Sequence, residues 1–144
     1  MASRRRNIRV VIASLTGFTE TLIKKLVLDI VANLQRAPSE DGTPVDTGWA
    51  RANWIPNIGA PILTPAGSYE QAKAGSLPGA SAAGVAAVAT TYKLGRGPVH
   101  ITNNVPYILK LDQGSSRQVP RGFVRRGIVK AIKVDLGGAL GRAP

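Results

Sequence analysis

Cysteine is absent from this chain of 144 residues, and histidine occurs once, as His100. Those two gaps exclude a disulfide framework, a thiol nucleophile and a Cys/His zinc site, and leave any serine triad to be built on His100 alone. Aromatic residues make up only 5% of the sequence, too few for a base-stacking platform. No apolar run reaches the ~18 residues of a spanning helix. The basic N-terminus is followed by a stretch broken by polar residues, so neither a signal peptide nor a membrane partner is expected. Acids are scarce too, 8 against 19 lysines and arginines, for a net charge of +11. What remains is an ordinary globular composition, 44% hydrophobic, long enough to bury a core without metal or cofactor. A single soluble domain over residues 1–144, inside a cell or a virion, is the expectation.

The positive charge is gathered at the two ends. Arg4, Arg5, Arg6 and Arg9 crowd the N-terminus, and Arg117, Arg121, Arg125, Arg126, Lys130, Lys133 and Arg142 face only Asp135 in the last stretch. Such an imbalance favours contact with phosphates or with acidic protein surfaces, and charge alone does not choose between them.

Spacing predicts one long helix over Ile8–Arg36. Val11, Leu15, Phe18, Leu22, Leu26, Ile30 and Leu34 recur every three or four residues, with Ile23, Val27 and Val31 as an adjacent row. Gly17 weakens it and Pro38 stops it. At about 1.5 Å per residue it spans roughly 40 Å, so one end is expected to project or bend. Ala50–Ile58 alternates like a strand, with Ala52, Trp54 and Ile58 on one face and Pro56 confining it to an edge. Residues 59–80, punctuated by glycine and proline, read as a long loop, expected to be poorly ordered in the free subunit. Ala80–Leu94 reads as a helix ended by Gly95-Arg96-Gly97-Pro98, and Val99–Thr102 as a short strand. Asn104 is expected to cap a short helix through Leu111. The last helix runs from about Gly122 to Leu136, with Val124, Ile128, Ala131 and Ile132 inward and Arg125, Arg126, Lys130 and Lys133 outward. Residues 1–7 and 137–144 are expected to be flexible. The fold class is α+β: a long N-terminal and a C-terminal helix packed on a small sheet, with a long Pro/Gly-rich loop.

Asp46-Thr47-Gly48 is the tripeptide of aspartic proteases, whose paired aspartates share a proton in a β-rich setting. Here it follows a helix and a proline. A turn, braced by the Asp46 side chain and bent at Gly48, explains it better. Gly95-Arg96-Gly97 lacks the spacing of a phosphate loop. The acids form no spaced metal cluster. No catalytic constellation, metal site or cofactor site is expected. The C-terminal helix lacks interleaved Asn or Gln for reading base edges.

Two passages share an order of short motifs with a known family. Arg36-Ala37-Pro38, Pro44-Val45-Asp46-Thr47-Gly48 and Arg51-Ala52-Asn53-Trp54 resemble one stretch of phage neck and tail-completion proteins of the minor tail protein Z type. Asn103-Asn104-Val105-Pro106-Tyr107, Leu111-Asp112-Gln113-Gly114-Ser115-Ser116 and Gln118-Val119-Pro120-Arg121-Gly122 resemble a second. Asp112 stands where the family commonly has Glu, and Val119 where it has Ala. The resemblance spans about residues 8–136. It implies a non-enzymatic virion protein assembled in the host cytoplasm. As a homo-oligomeric ring, it would join portal or adaptor to tail tube or terminator, or complete the tail. Asp46, Gly48, Trp54, Tyr107 and Gly114 would be its structural motif residues. Arg121, Arg125, Arg126, Lys130 and Lys133 are the expected partner face, against an acidic neighbour or, non-specifically, packaged DNA. A basic nucleic-acid-binding protein is the alternative, and an aspartic protease dimer around Asp46 a third reading.

Overall fold

The computed structural model describes residues 2–142, and the side chains of 7–142. The expectation of flexible ends lies outside the described residues at 1, 143 and 144.

Helix α1 spans Ala2–Leu34, beginning well before Ile8 and passing through Gly17 without a break. At 33 residues it is roughly 50 Å long. Its C-terminal part is core: Val27, Val31 and Leu34 are buried. Its N-terminal part projects, and Ile8, Val11, Ile12 and Leu15 stay exposed. The single stripe read from spacing therefore has two fates along one helix. Pro38 opens a single 3-10 turn, Pro38–Glu40, and Asp41 adopts a left-handed φ of 66°. That turn reverses the chain, so that Thr43 N donates to Leu34 O at 2.9 Å.

The stretch read as one strand divides. Trp49–Ala52 is a single helical turn, α2, and only Ile55–Ile58 is extended, as β1. Gly48, at φ 88°, starts that turn in a backbone conformation that favours glycine. The glycine- and proline-rich loop is not free either, since it carries α3, Tyr69–Lys73, whose first turn is capped by the Ser68 side chain. Helix α4, Ala80–Thr91, follows, then β2, Val99–Thr102. The two strands pair antiparallel with Ile55 opposite Thr102 and Ile58 opposite Val99. Helix α4 lies against β1. Gly84 makes this possible, because a Cβ there would sit 2.6 Å from the Pro56 carbonyl oxygen.

Helix α5, Ile108–Asp112, is shorter than the sequence suggests, and Asn104 does not cap it. Its side chain donates instead to Ile62 O at 2.8 Å. Helix α6 runs Phe123–Leu140, past the expected end at Leu136. Its buried row is Phe123, Gly127, Ala131 and Asp135, an i, i+4 series. Of the expected inner face only Ala131 is fully buried; Val124 and Ile128 are half-buried and Ile132 is exposed. The offset arises because α6 packs antiparallel on α1 through small residues. Gly127 sits against Leu34, where an added Cβ would come within 3.0 Å of Leu34 Cδ2. Asn33 Nδ2 donates to Gly127 O at 3.0 Å across the same crossing.

The chain is thus α+β, a long N-terminal helix, a C-terminal helix and a small two-stranded antiparallel sheet. Three apolar clusters join these parts. Val31, Leu34, Trp54, Val119 and Phe123 form the first, Trp49, Ala50, Ala72 and Val105 the second, and Val27, Val88 and Tyr92 the third. Full burial of a side chain such as Phe123 stabilises by about 1.5–3 kcal/mol.

Candidate functional site

The Val45–Trp54 passage is held by its own side chains. Thr47 Oγ1 accepts from Trp49 N at 3.4 Å, so Thr47, not Asp46, braces the bend. Asp46 is exposed, and its Oδ2 accepts from the Tyr69 hydroxyl at 3.0 Å. That hydrogen bond, and then the carboxylate charge, pushes the Tyr69 phenol above its ordinary range. Tyr107 meets Trp49 edge-to-face, with ring centroids 6.1 Å apart. Burial, and then the Asp46 charge, raises the Tyr107 phenol as well.

Asn53 is the hub of this passage. Its Nδ2 donates to Trp49 O at 2.9 Å and Ala66 O at 3.1 Å, and its Oδ1 accepts from Ala66 N at 2.7 Å. Trp49 Nε1 donates to the same Ala66 carbonyl at 3.0 Å. The 59–80 segment is thereby tied to the motif, against the expectation of a loose loop. Trp54 is anchored on the other side. Its Nε1 donates to Thr43 Oγ1 at 2.8 Å, and Thr43 Oγ1 donates to Leu34 O at 2.7 Å. Ser81 Oγ donates to Trp54 O at 2.6 Å.

The second passage packs onto the first. Gln118 spans the gap with both ends of its amide: Val45 N donates to Oε1 and Nε2 donates to Val45 O, each at 2.8 Å. Asn103 Nδ2 donates to Ala50 O at 2.8 Å. Gly114, at φ 92°, turns the chain beside Arg121, whose Cβ would lie 3.2 Å from a side chain at 114. Asp112 caps α6 from a distance, accepting from Gly122 N through its carbonyl at 2.8 Å and from Val124 N through Oδ1 at 3.1 Å. Of the five motif residues, Asp46 and Trp54 are held by side-chain hydrogen bonds, Tyr107 packs edge-to-face on Trp49, and Gly48 and Gly114 supply the positive φ of their turns. The sequence reading did not single out Asn53, Thr43 or Gln118; their only mark was membership of the quoted motifs or closeness to them.

The basic face is narrower than expected. Arg126 is an internal tie: it bonds Asp41 and donates to the carbonyls of Pro120 and Arg121. Arg121, Arg125, Lys130 and Lys133 are exposed and make no ion pair among the described residues. Arg125, Arg126, Val129, Lys130 and Lys133 line an open groove of about 460 Å³. On the inner face, Asp135 is buried and lies 3.0 Å from Lys25 Nζ, which also holds Asp29 at 2.6 Å.

Among the described residues no group of three or more His, Asp and Glu side chains is placed to hold a metal. His100 is half-buried on β2, opposite Asn57. The partner of Asp46 is a phenol rather than a second carboxylate.

No family model matches the chain, and neither a curated protein nor a solved structure matches it.

Proposed function

We propose that this chain is a structural protein of a phage neck, a subunit of a homo-oligomeric ring that joins portal or adaptor to the tail or completes the tail. One observation supports the reading most: the two passages that resemble this family are packed against each other. Gln118 clamps Val45 and Asn103 holds Ala50. Motifs that serve framework rather than chemistry would meet in this way. The exposed Arg121, Arg125, Lys130 and Lys133 on and beside α6 supply a surface for acidic side chains of an adjoining ring.

The experiment is double charge reversal, Arg125→Glu with Lys130→Glu, in the phage that carries the gene. Both side chains are exposed, so the fold is retained. Filled heads and free tails are the expected products, and infectious particles at normal yield overturn the role given to this face. The same exposed basic groups favour a second reading, electrostatic binding of nucleic acid. A variant that assembles yet loses a salt-dependent affinity for duplex DNA supports it instead.

A further inference from the structure

Independently of the virion reading, we propose that the Asp41–Gly42 peptide is a modification site, where succinimide and then isoaspartate form when α6 comes away from the turn that follows α1. Asp41 is the one Asp or Asn in the sequence whose next residue is glycine; every other is followed by a residue with a side chain. Glycine leaves its nitrogen unhindered for attack on the carboxyl before it. Position 42 admits nothing else, because a Cβ there would overlap the Arg36 carbonyl oxygen. The residue that makes the turn possible therefore also makes its peptide reactive. The Asp41 side chain is 42% exposed, so water reaches it.

The chemistry needs only water. The Gly42 nitrogen bonds to Asp41 Cγ, the Cγ–OH bond breaks, and that hydroxyl leaves as water with the amide proton. A second water opens the imide. Attack at Cγ restores aspartate, and attack at the Asp41 main-chain carbonyl carbon leaves the backbone running through Cβ and Cγ, as isoaspartate. Three features of the folded turn oppose ring closure. Arg126 holds both carboxylate oxygens, at 2.6 and 2.7 Å. Its hydrogen bonds, and then its charge, keep the carboxyl below the usual range, in the ionised form whose oxygen leaves poorly. At ψ 27° the Gly42 nitrogen points away from the Asp41 side chain, and its N–H donates to Ala37 O at 3.1 Å, which fixes it there. The first two features last only while α6 is docked, since Arg126 belongs to that helix. The third weakens with them, because Asp41 holds a left-handed φ of 66° that an L side chain disfavours and that an unclamped turn relaxes. The product does not fit back. Isoaspartate adds a main-chain carbon beside Gly42, where not even a methyl group has room, and moves the carboxylate out of the reach of Arg126. The modification is thus a one-way record of α6 having undocked.

The test holds the full chain for weeks near neutral pH and reads isoaspartate at residue 41 by electron-transfer fragmentation of the peptide that spans it. Arg126→Ala is expected to raise the rate of formation about tenfold over the wild type, through local opening of the clamp. Arg126→Lys returns the charge without the two-pronged grip and should raise it less; it carries the comparison alone if circular dichroism shows Arg126→Ala to be unfolded. Asp41→Glu in the Arg126→Ala background should abolish the product, since the larger ring closes far more slowly. Gly84→Ala, or the wild type in enough urea to match the stability of Arg126→Ala, loosens the whole fold without touching the clamp, and should stay within about twofold of the wild type. Equal rates in the wild type and both Arg126 variants overturn the proposal. So does a rise with Gly84→Ala or urea as large as that with Arg126→Ala, which places the reaction in the globally unfolded chain. So does an isoaspartate form that, once separated, melts at the same urea concentration as the unmodified chain.

Discussion

Arg126 grips Asp41 with two guanidinium nitrogens, Nε at 2.6 Å from Oδ2 and Nη2 at 2.7 Å from Oδ1. The pair fastens α6 to the turn that follows α1, residues far apart in the chain. The remaining donors of the same guanidinium reach the Pro120 and Arg121 carbonyls, which lie just before α6 begins. One side chain of the basic cluster is therefore spent inside the molecule, and Arg121, Arg125, Lys130 and Lys133 alone are left for a neighbour.

Arg126→Ala is expected to destabilise the fold in a pH-dependent way. The Arg126 hydrogen bonds, and then its charge, hold the Asp41 carboxyl below the usual carboxylate range. A carboxyl lowered on folding stabilises above its unfolded pKa of about 3.9 and loses that contribution as pH falls through the folded value. Both side chains are about two-fifths exposed, so solvent screening limits the ion pair to about 1 kcal/mol. Urea melts of the two proteins should differ by a constant amount near neutrality, and the gap should narrow below pH 4 or so. A gap that widens on acidification would contradict the assignment.

Thr43→Val is expected to cost about 1–3 kcal/mol, although the two side chains have nearly the same shape. Thr43 is fully buried, and its hydroxyl both serves Leu34 O and receives the Trp54 indole. Without it a buried N–H has no partner. Thr43→Ser keeps the hydroxyl and should cost less. Chemical denaturation followed by tryptophan fluorescence reads both.

Gly48 and Asp46, adjacent in the motif apart from Thr47, should respond differently. Gly48→Ala places a side chain at φ 88° in open space, so the whole cost is backbone strain of about 1–2 kcal/mol. Asp46→Ala removes one exposed hydrogen bond and should change stability less than Gly48→Ala does. Its signature is instead the Tyr69 phenol, which should titrate lower in the variant, as seen by ultraviolet difference spectroscopy.

Two glycines on helices separate crowding from propensity. Gly84→Ala drives a methyl group into the Pro56 backbone and is expected to lose at least 1–3 kcal/mol, about the cost of overpacking. Gly17→Ala meets nothing within 4 Å on α1 and is expected to gain up to about 1 kcal/mol. Thermal melts give the two signs directly.

Elements with a sustained period were legible in the sequence. The apolar spacing from Val11 to Leu34 marks α1, and Val99–Thr102 is the strand it reads as. The other short elements were not. Trp49–Ala52 makes one turn, too brief for a helical period to emerge, and the alternation of Ala52 and Trp54 imitates a strand. Helix α3 did leave a signal, Ser68 followed by Gln71 three residues later, hidden among glycines and prolines. The inner face of α6 was misjudged because Gly127 and Asp135 replace bulky groups where two helices approach closely. The Asp112 cap and the Gln118 clamp depend on partners brought together only by the tertiary fold. Arg126 looked like its basic neighbours in the sequence for the same reason.

The ring is the centre of the proposed function, and negative-stain electron microscopy of the purified chain tests it most directly, alone and with the head connector of the phage that encodes it. Closed rings of uniform size, free or seated on the connector, are the expected result. Monomers that leave the connector bare, and that instead bind duplex DNA with a steep salt dependence, would contradict it and favour the nucleic-acid reading.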